Sequence, residues 1–280
     1  MRSRWNSRPS DVQLLPSTTS HKHEALVPTL EVFARLGFHD LDLNLNHIIE
    51  RGTPVDAVRR ALSENGQRVS IVSGGWCDFF DGEPVIEHTL ASVERQVALT
   101  REFGADRLRL FFGRLAAGDY SRRALGVIVD NIRRVADRHL DLLFAFENHD
   151  GASSRPGICR DILAAVDRPN VALTFDPINF EHRGVGALDA LRTLQPFVAH
   201  VHLKGYSGGA FCGFGEGDVD LTPTLRALIA GGYHGAFTVE YEGSGDRTLR
   251  LYQSVHRARA ALNEAVSYQL SAVGQLKADR

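Results

Sequence analysis

Two hydrophobic textures alternate along the chain. Short runs in which apolar residues recur at every second position, as in a half-buried strand, are followed by longer stretches with apolar residues three or four apart, as in an amphipathic helix. The strand-like runs are VQLLPST (12–18), HDLDLNL (39–45), VSIVSGG (69–75), RLRLFFG (107–113), LLFAFEN (142–148), VALTFDP (171–177), VAHVHLK (198–204) and GAFTVEYEG (235–243). The helical stretches are 24–36, 54–65, 87–103, 121–139, 157–167, 184–195, 222–231 and 246–266. Gly37, Gly66, Gly104, Pro169 and Gly232 stand where helix stops belong.

Strict alternation of strand and helix implies a parallel sheet covered by helices. Eight such units within 280 residues fit a single α/β domain, a (β/α)8 barrel. The competing architecture is an open doubly wound sheet, which usually carries a glycine-rich turn after its first strand. Here that turn reads STTSHKHEA (17–25), without glycine. The expected organisation is a flexible tail over 1–10, a barrel over 11–266 and a C-terminal tail over 267–280.

Successive strand side chains point to opposite faces, so each run sorts its residues into two sets. Leu41, Leu43 and Leu45 oppose Asp40, Asp42 and Asn44; Phe144 and Phe146 oppose Ala145 and Glu147. Leu173 and Phe175 oppose Thr174 and Asp176; Val201 and Leu203 oppose His200, His202 and Lys204; Phe237, Val239 and Tyr241 oppose Thr238, Glu240 and Glu242. The apolar set packs under helices. The polar set then faces the barrel axis, with its ionisable groups near the C-terminal strand ends, where barrels of this kind hold their active sites.

Glu147, Asp176, His202 and Glu240 end four consecutive strands, the fifth to the eighth, on the inward side. Taken singly, each has a bland structural explanation: an ion-paired carboxylate, a turn cap before Pro177, a core histidine. Together, three carboxylates and an imidazole form a mixed O/N donor set suited to one divalent ion, Mn²⁺ first, with Mg²⁺, Co²⁺ or Zn²⁺ as alternatives. Without a cation, carboxylates that close would raise one another's pKa. Of the remaining inward groups, His200 reads as core, and Arg109 as a neutralising partner for carboxylates such as Asp42.

Composition narrows the classes. The chain is 43% hydrophobic and 24% charged, in the globular range, with a net charge of −2. That balance lacks the basic footprint of a nucleic-acid binder. Cys77, Cys159 and Cys212 form neither a disulfide framework nor a CxxC zinc pattern. MRSRWNSRPS, the first ten residues, has no apolar signal core, and no apolar run is long enough to span a membrane. The expectation is a cytoplasmic protein with no membrane or nucleic-acid partner.

FENHD (146–150), TFDPINF (174–180), HVHLKGY (200–206), GEGDVDL (215–221) and FTVEYEG (237–243) resemble the xylose isomerase-like TIM barrels over roughly residues 12–262. That superfamily includes ketose 3-epimerases, hydroxypyruvate isomerases, inosose isomerases and dehydratases, and the type IV endonucleases. The resemblance places Glu147, Asp176, His202 and Glu240 on the family's metal ligands and Glu147 and Glu240 on its acid–base pair. It implies a metal-dependent sugar isomerase or epimerase working through an enediolate on a small keto sugar or keto polyol, with an inosose-type dehydratase as the alternative. Homodimers or homotetramers are expected on the same ground.

Substrate contacts are assigned to His149, Lys204, Trp76 and Asn179. Each has a plainer role too; Lys204, for example, could simply pair with Glu240 or Glu242. The chain departs from the ketose 3-epimerases in two places. Asn179 stands where they carry His, and SGGAFCGFG (207–215) lacks their loop arginine. An abasic-site endonuclease would need more histidines than SGGW, FFGR and Asn179 supply. A non-catalytic, metal-dependent sugar-binding module is compatible with the ligand set.

Overall fold

A computed structural model describes residues 12–278, with side chains to 271. Its strands are β1 (Leu14–Pro16), β2 (Asp40–Asn44), β3 (Arg68–Ser73), β4 (Arg107–Phe111), β5 (Leu143–Glu147), β6 (Val171–Phe175), β7 (Val198–Leu203), β8 (Gly205–Ser207), β9 (Ala210–Cys212) and β10 (Ala236–Val239). All but β8 and β9 form an eight-stranded sheet in the order β1-β10-β7-β6-β5-β4-β3-β2, parallel at every pairing. A parallel bridge between Ser17 and Asp42 joins its two ends. The expected (β/α)8 barrel is therefore the observed fold.

The helices are α1 (Leu26–Arg35), α2 (Asn46–Ile49), α3 (Val55–Glu64), α4 (Ile86–Glu102), α5 (Arg122–Ala136), α6 (Pro156–Val166), α7 (Pro177–Glu181), α8 (Ala187–Leu194), α9 (Thr222–Ala230) and α10 (Arg247–Ala278). Local chemistry sets several boundaries. Ser121 caps α5 by accepting from the Ala124 amide at 3.2 Å, and α6 opens on Pro156, where a missing amide proton costs nothing. Ile128, Ile132 and Val135 of α5 recur at helical spacing and are buried.

The core sits between sheet and helices. Leu41, Leu43, Phe146, Leu173, Phe175, Val201, Leu203, Phe237 and Val239 are all fully buried there. They are the strand residues assigned outward by parity, so the opposite parity is left to the barrel interior.

Four features differ from the sequence reading. The short helices α2 and α7 fill strand-to-helix turns. The loop after β7 contains an antiparallel hairpin, β8–β9, turning at Gly208 and Gly209, both with positive φ; a strand–Gly–Gly–strand pattern is a hairpin signal. The helix expected to end at 266 runs to Ala278, so the stretch expected as a tail from 267 is helical through 278. No proline follows Pro223, and Gly274 alone offers a helix-weakening residue there. The expected flexible segment 1–10 lies outside the described residues. Among the described residues no helix is long and apolar enough to cross a membrane.

Candidate metal and active site

Glu147 is the last residue of β5, Asp176 follows β6, His202 lies near the end of β7, and Glu240 follows β10. All four are buried, at 3%, 0%, 0% and 4% exposure. Glu147, Asp176 and His202 each offer one ligand atom within 4.8 Å of the others. Glu240 reaches the same imidazole: its Oε2 is 3.4 Å from His202 Nδ1, and Glu147 Oε2 is 3.8 Å from that nitrogen.

Each group is held by its neighbours. Asp176 caps α7, its Oδ1 accepting from the Asn179 amide at 3.0 Å. The turn cap anticipated before Pro177 is real, and it leaves the second oxygen, Oδ2, facing the Lys204 ammonium at 3.0 Å. Asn148 clips the β5 and β6 ends together. Its Nδ2 donates to the Asp176 carbonyl at 2.8 Å, and its Oδ1 accepts from the Asp176 amide at 2.9 Å. Glu147 meets Arg109 Nε at 3.2 Å and accepts from Asn179 Nδ2 at 3.1 Å. Arg109 thus faces inward as expected; its contact ion pair is with Glu147, because β4 pairs directly with β5 and sets Phe111 beside Glu147, and its charge also stabilises the Asp42 carboxylate from further off. Lys204 pairs with Asp176 and, at 2.8 Å, with Glu242; Glu240 is not its ion-pair partner.

The electrostatics of this cluster are strongly coupled. Burial opposes charge on His202, yet the carboxylates of Glu240, Glu147 and Asp42 raise its pKa to about 9. Burial pushes Glu240 upward, but His202 and Lys204 hold it well below the ordinary carboxylate range. Burial raises Asp176 despite Lys204. Lys204 resists its own burial because Asp176 and Glu242 flank it, and its pKa lies well above the usual lysine value. His200 belongs to the core, as expected: its ring nitrogens meet Thr174 Oγ1 at 3.2 Å and Thr238 Oγ1 at 2.8 Å.

The donor set fits a divalent ion. Both ring nitrogens of His202 and Oε1 of Glu240 are buried without a hydrogen-bond partner, and Oδ2 of Asp176 faces only the Lys204 ammonium. Buried polar atoms are normally satisfied, and orphans call for a ligand or ion. Oxygen-rich donors with one imidazole match Mg²⁺, Mn²⁺, Co²⁺ or Zn²⁺.

Above this cluster lies a cleft of ≈ 210 Å³. Trp76 and Phe111 wall it as a stacked pair, ring centroids 4.8 Å apart. His149 stands edge-on to both, and Lys22 and Glu242 pair at 3.5 Å at the cleft. Trp76, His149 and Lys204 line this space. Asn179 is buried beneath it, with its amide committed to Glu147 and, at 3.0 Å, to the Asn148 carbonyl.

The sequence reading gave no site role to Asp42, Ser73 or Asn148. Asp42 is wholly buried, with Oδ2 3.7 Å from His202 Nε2. Its inward parity was legible in HDLDLNL, but its partner sits on β7, across the barrel. Asn148 falls on the outward parity and acts only because β5 ends there.

Against known proteins, the chain is 23% identical to the 3-dehydroshikimate dehydratase of Bacillus anthracis over 129 residues, 45% of this chain and 46% of that one. The two curated relatives it matches are covered over less than half their lengths, 46% and 44%. Among solved structures it resembles an L-ribulose 3-epimerase (TM-score 0.78, 14% identity, 94% of this chain and 98% of the other). It also resembles a xylose isomerase-like TIM barrel protein from Mycobacterium smegmatis in complex with magnesium (TM-score 0.76, 18% identity, 93% and 99%). Those likenesses carry the fold. Residues 30–265, most of the chain, match the family described as Xylose isomerase-like TIM barrel, and the chain belongs to that family.

Proposed function

We propose that the chain is a divalent-metal-dependent isomerase or epimerase of a small keto sugar or keto polyol. The observation that carries this reading is the convergence of two buried carboxylates, Glu147 and Glu240, on one imidazole nitrogen beneath the cleft. They come from β5 and the end of β10, on opposite flanks of the β6–β7 pair. The ligands in this reading are Glu147, Asp176, His202 and Glu240, with Mn²⁺ the first choice of ion and Mg²⁺, Co²⁺ or Zn²⁺ the alternatives.

When bound, the ion supplies Lewis-acid polarisation of the substrate carbonyl, which lowers the cost of the enediolate left by proton loss. Glu147 and Glu240 do the proton work: one takes the α-proton and the other returns a proton. Return to the opposite face of the same carbon inverts it; return to the neighbouring carbon isomerises the substrate. Asn179 and Arg109 hold the Glu147 carboxylate in place. Lys204 and His149 offer polar contacts to substrate hydroxyls, and Trp76 an apolar wall.

The test is solvent exchange. Metal-loaded protein is incubated in D₂O with a panel of keto sugars and inososes and followed by NMR. Exchange of an α-hydrogen is expected that depends on the ion and is lost in Glu147→Gln and Glu240→Gln. No exchange with any panel member would overturn the reading.

One observation favours a second reading, an inosose-type dehydratase. The Lys204 ammonium is buried among the site carboxylates, 3.0 Å from Asp176, where it could protonate a departing hydroxyl. The match to a dehydratase points the same way. Its mark would be an enone absorbance that is abolished in Lys204→Ala.

A further inference from the structure

His202 presents one ring nitrogen, Nδ1, to Glu147 and Glu240. The other, Nε2, points across the barrel at Asp42, whose Oδ2 is 3.7 Å away; both side chains are wholly buried. Neither ring nitrogen makes a hydrogen bond, and Asp42 Oδ1 also lacks a partner. Asp42 is fixed at the barrel seam. Its backbone bridges Ser17 and pairs with Ile71 of β3, and its Oδ2 accepts from Ser73 Oγ at 3.0 Å.

We infer that Asp42 is the positioning residue of His202, accepting the Nε2 proton so that the Nδ1 lone pair faces the ligand set. A ligating histidine generally gives its second ring N–H to a carboxylate or carbonyl, which fixes both tautomer and ring angle. Among the described residues, His200 is the other group that clusters with Asp42 and His202 as a possible ligand. Its two nitrogens are taken by Thr174 and Thr238, so no lone pair is left for a second ion between these three. Arg109, whose charge also acts on Asp42, makes its contact ion pair with Glu147 and none with Asp42. A buried carboxylate facing a buried N–H is the arrangement that remains. The positioning role requires the 3.7 Å separation to shorten to hydrogen-bond distance when the ion is held.

This inference rests on the metal reading of the site, and the two can fail separately. Mn²⁺ alone is titrated calorimetrically into wild type, Asp42→Asn and Ser73→Ala. Asp42→Asn is expected to bind Mn²⁺ about 10- to 100-fold more weakly, the usual loss for an outer-shell partner. Ser73→Ala keeps the carboxylate but releases it, and is expected to weaken binding by a smaller factor. In the Zn²⁺-loaded protein, the His202 Nε2–H proton should resonate far downfield in wild type and move upfield in Asp42→Asn, which a purely structural role would not produce. Should Asp42→Asn not fold, the Ser73→Ala titration decides. Mn²⁺ affinity within twofold of wild type in the folded variants overturns the positioning role and leaves the proposed function standing. Wild type that binds neither Mn²⁺ nor Zn²⁺ overturns both.

Discussion

Asn179 donates its side-chain amide to Glu147 Oε1 at 3.1 Å and to the Asn148 carbonyl at 3.0 Å. Where ketose 3-epimerases carry a histidine, this chain has an amide that holds one of the two proposed proton-transfer carboxylates. A hydrogen bond to a charged group contributes about 1.5–3 kcal/mol, or roughly 10- to 100-fold in an equilibrium or rate. Asn179→Ala is therefore expected to lower kcat by about that factor. Steady-state kinetics on whichever substrate passes the exchange test would check it; unchanged kcat would mean that Arg109 alone holds Glu147.

Lys204 is the cation between Asp176 and Glu242. Replacing it with the neutral, similar-sized Met leaves Asp176 buried and uncompensated, and breaking a buried pair in this way costs about 3–5 kcal/mol. Lys204→Met is expected to unfold at a much lower temperature than wild type in chelator. Added Mn²⁺ should recover part of the deficit, because the ion replaces the lost positive charge. Thermal denaturation with and without Mn²⁺ measures both effects; an equal deficit in the two conditions would argue that Asp176 does not face the ion.

The three cysteines should separate cleanly. Burial pushes the Cys77 thiol up to about 12 and raises Cys159 as well, and both are inaccessible. Cys212, in the β8–β9 hairpin, is half-buried and so within reach of a reagent, although burial and the nearby Glu216 and Asp218 carboxylates raise its thiol too. The thiolate is the reactive form. At pH 8 a thiol reagent should modify one cysteine in the native protein and three after denaturation, with Cys212→Ser abolishing the native signal.

Acid should destabilise the fold through its buried imidazoles. Burial lowers the pKa of His21, with Arg247 and His47 adding to the effect and Glu24 and Asp246 opposing it. Burial lowers His47 too, against the Thr18 carbonyl that accepts from its Nε2 at 3.1 Å, with Arg51 lowering it further. Both fold preferentially unprotonated, so just below the ordinary histidine value of about 6.5 the unfolded chain binds more protons than the native one. Stability then rises with pH in that window, and falls as pH drops below about 6.5. Melting temperatures between pH 7.5 and 5.5 should show this slope, and His21→Gln/His47→Asn should flatten it; an unchanged slope in that variant would place the titration elsewhere.

Much of the barrel was legible locally. Side-chain parity within one strand depends on backbone geometry alone, so Leu41 and Leu43 had to face away from Asp42, and Phe146 away from Glu147. That is why the inward set, with Glu147, Asp176, His202 and Glu240 at the strand ends, could be read from the chain. The Gly208–Gly209 hairpin follows from the same kind of local rule, since two glycines between short strand-forming runs favour a tight turn. Which inward groups meet was not local. Arg109 chose Glu147 because β4 pairs with β5, Lys204 chose Asp176 because α7 begins there and takes the other oxygen, and Asp42 reached His202 only because the β1–β2 seam closes the sheet. Parity is a property of successive residues; partnership depends on strand order, register shifts and closure, which bring together groups as far apart in sequence as Asp42 and His202, and only the tertiary structure decides those.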